Sequence, residues 1–325
     1  MSEMALGKKM ALKKTQRKIL SAAWSVVRFV LIAGIGYYIL YPLITKFSMC
    51  FMSMEDLSDV TVRLIPRHFT TENLRMVWKV MEYPSALLRT LGLSLLVTLA
   101  QLLSCVLIGY GFARFSFPLK RFWFALVLLT LLVPPQVITI PLYMRFNYFD
   151  IGNIFQILTG RSLNLINSIW PSVLLACTGL GIRNGLFIYI IRQYFRNMPK
   201  ELEEASLIDG AGVFRTFFKI MLPSARPILT SVFLFSFVWQ WNDILYASWF
   251  MPSASILSIN LNNLVYNFIL HLRTTGQLMS DQIDVSQQAL INGIGCLLVI
   301  LPLFILYMIA QKAFVESIER SGLVG

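Results

Sequence analysis

An all-α fold, a polytopic membrane protein with six transmembrane helices, follows from three observations on this 325-residue chain. Hydrophobic residues make up 57% of it and charged residues only 14%, outside the range of soluble domains. Mean hydropathy is +0.68, and the apolar residues gather in runs near the roughly 20 residues that a helix needs to cross the hydrocarbon core. No ten-residue alternation of the barrel type competes, and a bilayer admits only helices or closed barrels. One integral domain is expected: a basic amino-terminal segment at 1–23, a six-span domain at 24–310 and a tail at 311–325.

The first predicted span runs from about Trp24 to Phe47. Lys8, Lys9, Lys13, Lys14, Arg17 and Lys18 precede it, as in a secretory signal, but the apolar stretch is too long for a signal core and no small-x-small cleavage site follows. It is expected to remain as a span. The others are placed at about Thr90 to Phe112, Phe122 to Tyr143, Ser168 to Ile191, Pro227 to Trp249 and Ala289 to Ala310. Pro134, Pro135 and Pro141 break the third, which either exposes backbone to a cavity or kinks a helix that neighbours repair. Gly109, Gly111, Gly293 and Gly295 are expected at close helix contacts, and Trp239, Trp241 and Trp249 in an aromatic belt.

Lys and Arg favour cytoplasmic segments. An inside amino terminus places seventeen of the twenty-eight there, including Arg114, Lys120, Arg121, Arg192, Arg196, Lys200, Arg215, Lys219 and Arg226. Both termini are therefore expected in the cytoplasm. The net charge of +12 reads as a topology signal and a contact with lipid headgroups, with no nucleic acid implied. Cys50, Cys105, Cys177 and Cys296 lie in or beside separate apolar runs and are expected to be small core residues. His68 and His271 stand alone in outer loops, so no metal site is expected.

No G-x-S-x-G, H-E-x-x-H or phosphate-loop motif occurs, so no catalytic residues are expected. If the chain takes part in energised transport, another polypeptide must bind the nucleotide. The stretch EEASLIDGAGVFRTFFKIMLP, between the fourth and fifth spans, is suited to docking such a partner. Pro199 suits a first helical turn, and Glu201, Glu203 and Glu204 lie near the positive end of a short helix expected over Met198 to Asp209. Gly210 supplies the left-handed residue that closes it. Phe214, Phe217, Phe218 and Met221 then recur at helical spacing, with Arg215 and Lys219 opposite, as in an amphipathic helix that Pro223 stops.

The spacing of Glu204, Ala205 and Ser206, then Gly210, Ile220, Leu222 and Pro223 resembles the EAA loop of binding-protein-dependent ABC importers, E-A-A-x3-G-x9-I-x-L-P. Ser206 stands where that pattern has its third alanine. IIRQYFRNMPKELEEASLIDGAG, LVPPQVITIPLY, the Trp241-Asn242-Asp243 triplet and a tail starting Gln311-Lys312 are similar to the six-span permease subunits of carbohydrate importers related to the maltose system. The similarity covers about Leu88 to the end. In the tail, Ser317, Ser321 and Val324 depart from the glycine, glycine and lysine of many relatives.

The resemblance implies a bacterial plasma-membrane heterodimer with a second permease subunit, two cytoplasmic ATPase subunits that bind the ATP, and an extracellular solute-binding protein. It implies no cofactor on this chain. Glu204, Ala205, Ser206, Asp209, Gly210, Ile220, Leu222 and Pro223 would form the ATPase-coupling loop. Arg183, Asn242 and Asp243 are polar groups within spans, where a charge is costly unless it faces protein or water; they are expected to line the translocation path or to pair with one another. A peptide or other solute is an alternative cargo, and an ion-coupled secondary carrier an alternative class.

Overall fold

A computed structural model of the chain describes residues 2–59, 61–276 and 283–322, without the side chains of 2–16, 18, 19, 54, 58 and 312–322. The departures at Ser317, Ser321 and Val324 lie outside the described side chains. The chain divides into two units, Met1–Met76 with Gln282–Leu297, and Val77–Asp281 with Leu298–Gly325.

In the first unit, α1 (Ser2–Met49) carries the first predicted span. Its Leu20–Met49 stretch is predominantly apolar and unburied, the pattern of a helix meant for lipid. The loop that follows then folds on itself. A β-bridge joins Met52 to Phe69, and Asn73 Nδ2 donates to Met52 O at 2.9 Å. Ser53 caps the short helix Met54–Ser58 by accepting the Asp56 amide. His68 is exposed in this loop, as its isolation in the sequence suggested, and it also finds a partner in Asp56. Its amide donates to Asp56 Oδ2 at 2.8 Å, and its Nδ1 lies 2.9 Å from Asp56 Oδ1. Burial opposes the charge on Asp56, yet the His68 amide and imidazole outweigh it and hold the carboxyl below its ordinary value.

In the second unit, α2 (Tyr83–Arg114) is the central element, packed by α5 (Trp170–Cys177), α6 (Asn184–Asn197) and α9 (Arg226–Trp241). Gly109 permits a close approach of α2 to α6. A Cβ there would stand 2.8 Å from Ile191 Cγ2 and 3.2 Å from the Arg192 amide nitrogen. Gly111 faces open space and Gly293 meets only Lys46 at ordinary distance, so these two glycines are not the contact points expected of them. Cys105, Val106, Tyr110, Phe187, Ile191 and Phe195 fill the α2–α6 seam. Lipid is as apolar as this seam, so its stability comes from packing and hydrogen bonds more than from transfer out of water.

Among the described residues three helices, Leu20–Met49, Tyr83–Arg114 and Val285–Gln311, are long and apolar enough to cross a membrane. Two bent pairs raise the number to five. The first is α3 (Lys120–Leu132) with α4 (Pro135–Asn147), bent by 104° where Pro134 and Pro135 remove two amide donors. Pro141 lies inside α4 without breaking it. The second is α8 (Val213–Ser224) with α9, bent by 73°. The predicted fourth span, Ser168 to Ile191, is divided between α5 and α6 by six non-helical residues, with Gly179 (φ +76°) and Arg183 (φ +60°) left-handed. Arg183 therefore caps α6 rather than sitting mid-span.

Beyond α9, α10 (Leu245–Phe250), α11 (Leu257–Asn262) and α12 (Leu264–Thr274) lead to α13 (Val285–Gly322). Trp241 is buried, and its Nε1–H donates to Val299 O at 3.2 Å, so it belongs to the core and not to an aromatic belt. Cys50 and Cys105 are core residues as expected, whereas Cys177 is exposed.

Candidate coupling segment and transmembrane cavity

The acidic helix predicted over Met198 to Asp209 is shorter at its start: α7 spans Glu201–Ile208, and Pro199 stays outside it. Gly210 has φ +78°, and the Ala211 amide donates back to Ser206 O at 3.0 Å, closing the helix with a left-handed turn. Glu203 turns inward. Its Oε1 accepts from Tyr110 Oη at 3.0 Å and lies 3.3 Å from Arg114 Nε, an ion pair without hydrogen-bond alignment. Arg114 Nη2 also donates to Met198 O at 2.8 Å. One guanidinium thus ties the end of α2 to the entry of α7. Sequence reasoning grouped Glu203 with its acidic neighbours and missed this role, because Tyr110 and Arg114 lie some ninety residues earlier.

Glu204, Ala205, Asp209 and Gly210 are exposed, and Glu204 has no polar partner among the described residues. Ser206 is buried, its Oγ 2.9 Å from Thr216 Oγ1. The hydroxyl that replaces an alanine of the pattern therefore binds α7 to α8. Ile220, Leu222 and Pro223 are half-buried in α8.

That second helix departs from the simple amphipathic pattern. Residues Phe217–Met221 form a π-helical turn just ahead of Pro223, which has no amide for the carbonyl four residues back. Phe217 and Met221 enter the core while Phe214 and Phe218 remain exposed. Together with exposed Leu207 and Ile208, Phe214 leaves an apolar edge beside Glu204.

The break between α5 and α6 walls a cavity of about 820 Å³, lined also by α3 and α4 and by Tyr246. Its two charged lining residues are Arg145 and Arg183. Arg183 holds a left-handed conformation that costs a bulky residue about 1–3 kcal/mol, and its guanidinium lies 4.7 Å from the Trp239 ring centroid. Asn242 and Asp243 do not line this cavity. Asp243 accepts the amides of Tyr246 and Ala247 at 3.1 and 3.2 Å and so starts α10, while Asn242 Nδ2 donates to Val238 O. The expected alternative of an Arg183–Asp243 pair is therefore not realised: each group has found a nearer partner.

A polar network that sequence reasoning did not single out supports the break. Gln101 Nε2 donates to Ile182 O and Asn184 Oδ1, and Gln101 Oε1 accepts from Ser236 Oγ. Ser104 Oγ donates to Ala176 O, a carbonyl in the last turn of α5. Backbone exposed by a broken helix in a bilayer must be satisfied by protein. The available signal was Gln101 and Ser104, polar and one turn apart in an apolar run.

Residues 105–320 match the family model described as binding-protein-dependent transport system inner membrane component. The trehalose transport system permease protein SugB of Mycobacterium tuberculosis is 26% identical over 288 residues, 89% of this chain and 93% of that protein. The galactooligosaccharides transport system permease protein GanQ of Bacillus subtilis is 26% identical over 302 residues, 91% and 94% respectively. The alpha-glucoside transport system permease protein AglG of Rhizobium meliloti is 33% identical over 62% of this chain, which spans only half of that relative's length; the same half-length match holds for a probable ABC transporter permease of Pyrococcus horikoshii. Among solved structures, a chain of a bacterial ABC transporter involved in the import of the acidic polysaccharide alginate aligns with TM-score 0.68 and 21% identity, over 90% of this chain and 97% of that one, a likeness of fold.

Proposed function

The chain belongs to the family of inner membrane components of binding-protein-dependent transport systems, and on that premise we propose that it is the permease subunit of an ABC importer for a carbohydrate or oligosaccharide. It forms six spans with both termini in the cytoplasm of a bacterium and pairs with a second permease. Two cytoplasmic ATPase subunits bind the ATP, and an extracellular protein delivers the solute. The chain itself holds no cofactor and makes or breaks no bond.

The observation that carries the reading is the α7–Gly210–α8 segment: an inner side clamped by Glu203 and Ser206, and an outer side presenting Glu204, Ile208 and Phe214 unpartnered. An exposed apolar edge beside a free carboxylate is suited to burial against another subunit. Closure of the ATPase pair would displace α7 as a rigid lever. The Arg114–Glu203 pair would pass that displacement to α2, and α2 would carry it through Gln101 to the broken helices around the cavity. The cavity beside Arg183 is the proposed translocation path; Asn242 and Asp243, at the α9–α10 break, lie outside its lining. Polar and aromatic groups there suit a hydroxyl-rich solute, and alternating access opens the path to one side at a time.

Extraction of the chain from its native membrane in mild detergent, with identification of stoichiometric partners, tests the assignment. A partner bearing a Walker A loop that is lost when Glu204–Gly210 is altered is the expected result. A chain that purifies alone, under conditions that keep other complexes whole, overturns it.

A further inference from the structure

Six cationic side chains, Arg114, Lys120, Arg121, Arg192, Arg196 and Lys200, line a cavity of about 680 Å³ between the ends of α2 and α6 and the starts of α3 and α7. Two carboxylates oppose them, Glu203 and Glu204, and Glu203 is already engaged by Tyr110 and Arg114. Such a cluster repels itself unless an anion joins it. Arg192 shows the shortage of acceptors most directly. Its guanidinium lies 3.9 Å from the Phe124 ring centroid and gives one bond, at 3.3 Å, to Gln193 Oε1. Its Nε is buried with no acceptor. A guanidinium carries five N–H donors, so the site holds donors in excess and a fixed aromatic wall behind them.

We propose that this cavity binds the phosphate headgroup of an anionic phospholipid. The surroundings favour a lipid over a free anion. Phe122 and Trp123, in the first turn of α3, are exposed beside the cavity, the placement of aromatic residues at a membrane–water boundary. Phe112 and Phe124 supply apolar lining for the glycerol and upper acyl chain. Basic pockets between helices at the cytoplasmic boundary capture anionic headgroups by this combination. The inference rests on the topology and coupling role proposed above, and it adds a consequence. Glu204 and Leu207 of α7 form part of the wall, so an occupied cavity steadies the coupling helix, and an anionic bilayer sustains transport-linked ATP hydrolysis that a zwitterionic one does not.

The test uses the full chain with whatever subunits co-purify, wild type and Arg192→Gln/Arg196→Gln, in nanodiscs of phosphatidylcholine with and without phosphatidylglycerol. Native mass spectrometry reads retained lipid, and ATP hydrolysis is read in parallel. Wild type is expected to retain phosphatidylglycerol in the presence of inorganic phosphate, and the double variant to retain about thirtyfold less, since each of the two cations lost contributes about 1 kcal/mol near an anionic headgroup. Equal retention by both overturns the proposal, as does displacement by inorganic phosphate, which assigns the site to free anions. Arg121→Gln, at the exposed edge, repeats the measurement without disturbing the packing on Phe124 should the double variant fail to assemble. Absence of any ATPase partner would count against the importer assignment alone, because lipid retention is read on the chain itself.

Discussion

Gly210 and Arg183 both hold left-handed backbone, but for different reasons. At Gly210 a Cβ would meet nothing within 4 Å, so space is not the constraint; the constraint is φ +78°. Gly210→Val is therefore expected to strain this turn by about 1–2 kcal/mol and more for its β-branch, re-aiming α7 without disturbing the spans. A normally expressed variant should lose transport and transport-linked ATP hydrolysis together; parental rates in both would remove Gly210 from the coupling role. Gly210 was legible in the sequence, since a helix-closing glycine is a local property. Arg183 was not, because the ring its guanidinium packs on, Trp239, lies fifty-six residues later.

At the scale of elements, α7 is too short to be stable alone, as isolated helices below about 12–15 residues are marginal. It is held by two contacts, Glu203 to Tyr110 and Arg114, and Ser206 to Thr216. Arg114 is the more buried partner, its side chain 6% exposed against 20% for Glu203. A double-mutant cycle of Arg114→Met and Glu203→Gln should give a coupling energy of about 1–2 kcal/mol, read as non-additive loss of amide-exchange protection over Glu204–Ile208. Additive losses would show that the two residues act separately. The charges and the glycine of this segment were readable from spacing alone. The inward turn of Glu203 was not, because three glutamates in four residues look alike until the end of α2 selects one.

For the molecule as a whole, Gln101 is the point where α2, the broken α5–α6 span and α9 meet. Gln101→Leu would take this partner from the Ile182 carbonyl and the Asn184 side-chain oxygen, at about 1–3 kcal/mol for a buried orphan group, while Ser236 Oγ keeps a longer bond to Thr98 Oγ1. The expected outcome is a clear fall in thermal midpoint of the detergent-purified protein, together with reduced transport. An unchanged midpoint would mean that water or neighbouring groups take over those bonds.

Composition and run length determined that the chain is helical and meant for a membrane, because the bilayer imposes one thickness on every crossing segment. Proline pairs and a left-handed glycine likewise marked the α3–α4 break and the α7 turn, since each acts within its own few residues. Tertiary structure alone decided that the fourth apolar run breaks at Arg183, that Trp241 is core, and that Asp243 caps a helix instead of pairing with Arg183. It also decided that cations from four separate segments share one cavity. In a chain surrounded by lipid, apolar residues face both the neighbours and the solvent, so hydrophobic periodicity does not reveal which side of a helix meets another. Polar contacts between residues far apart in sequence settle that choice.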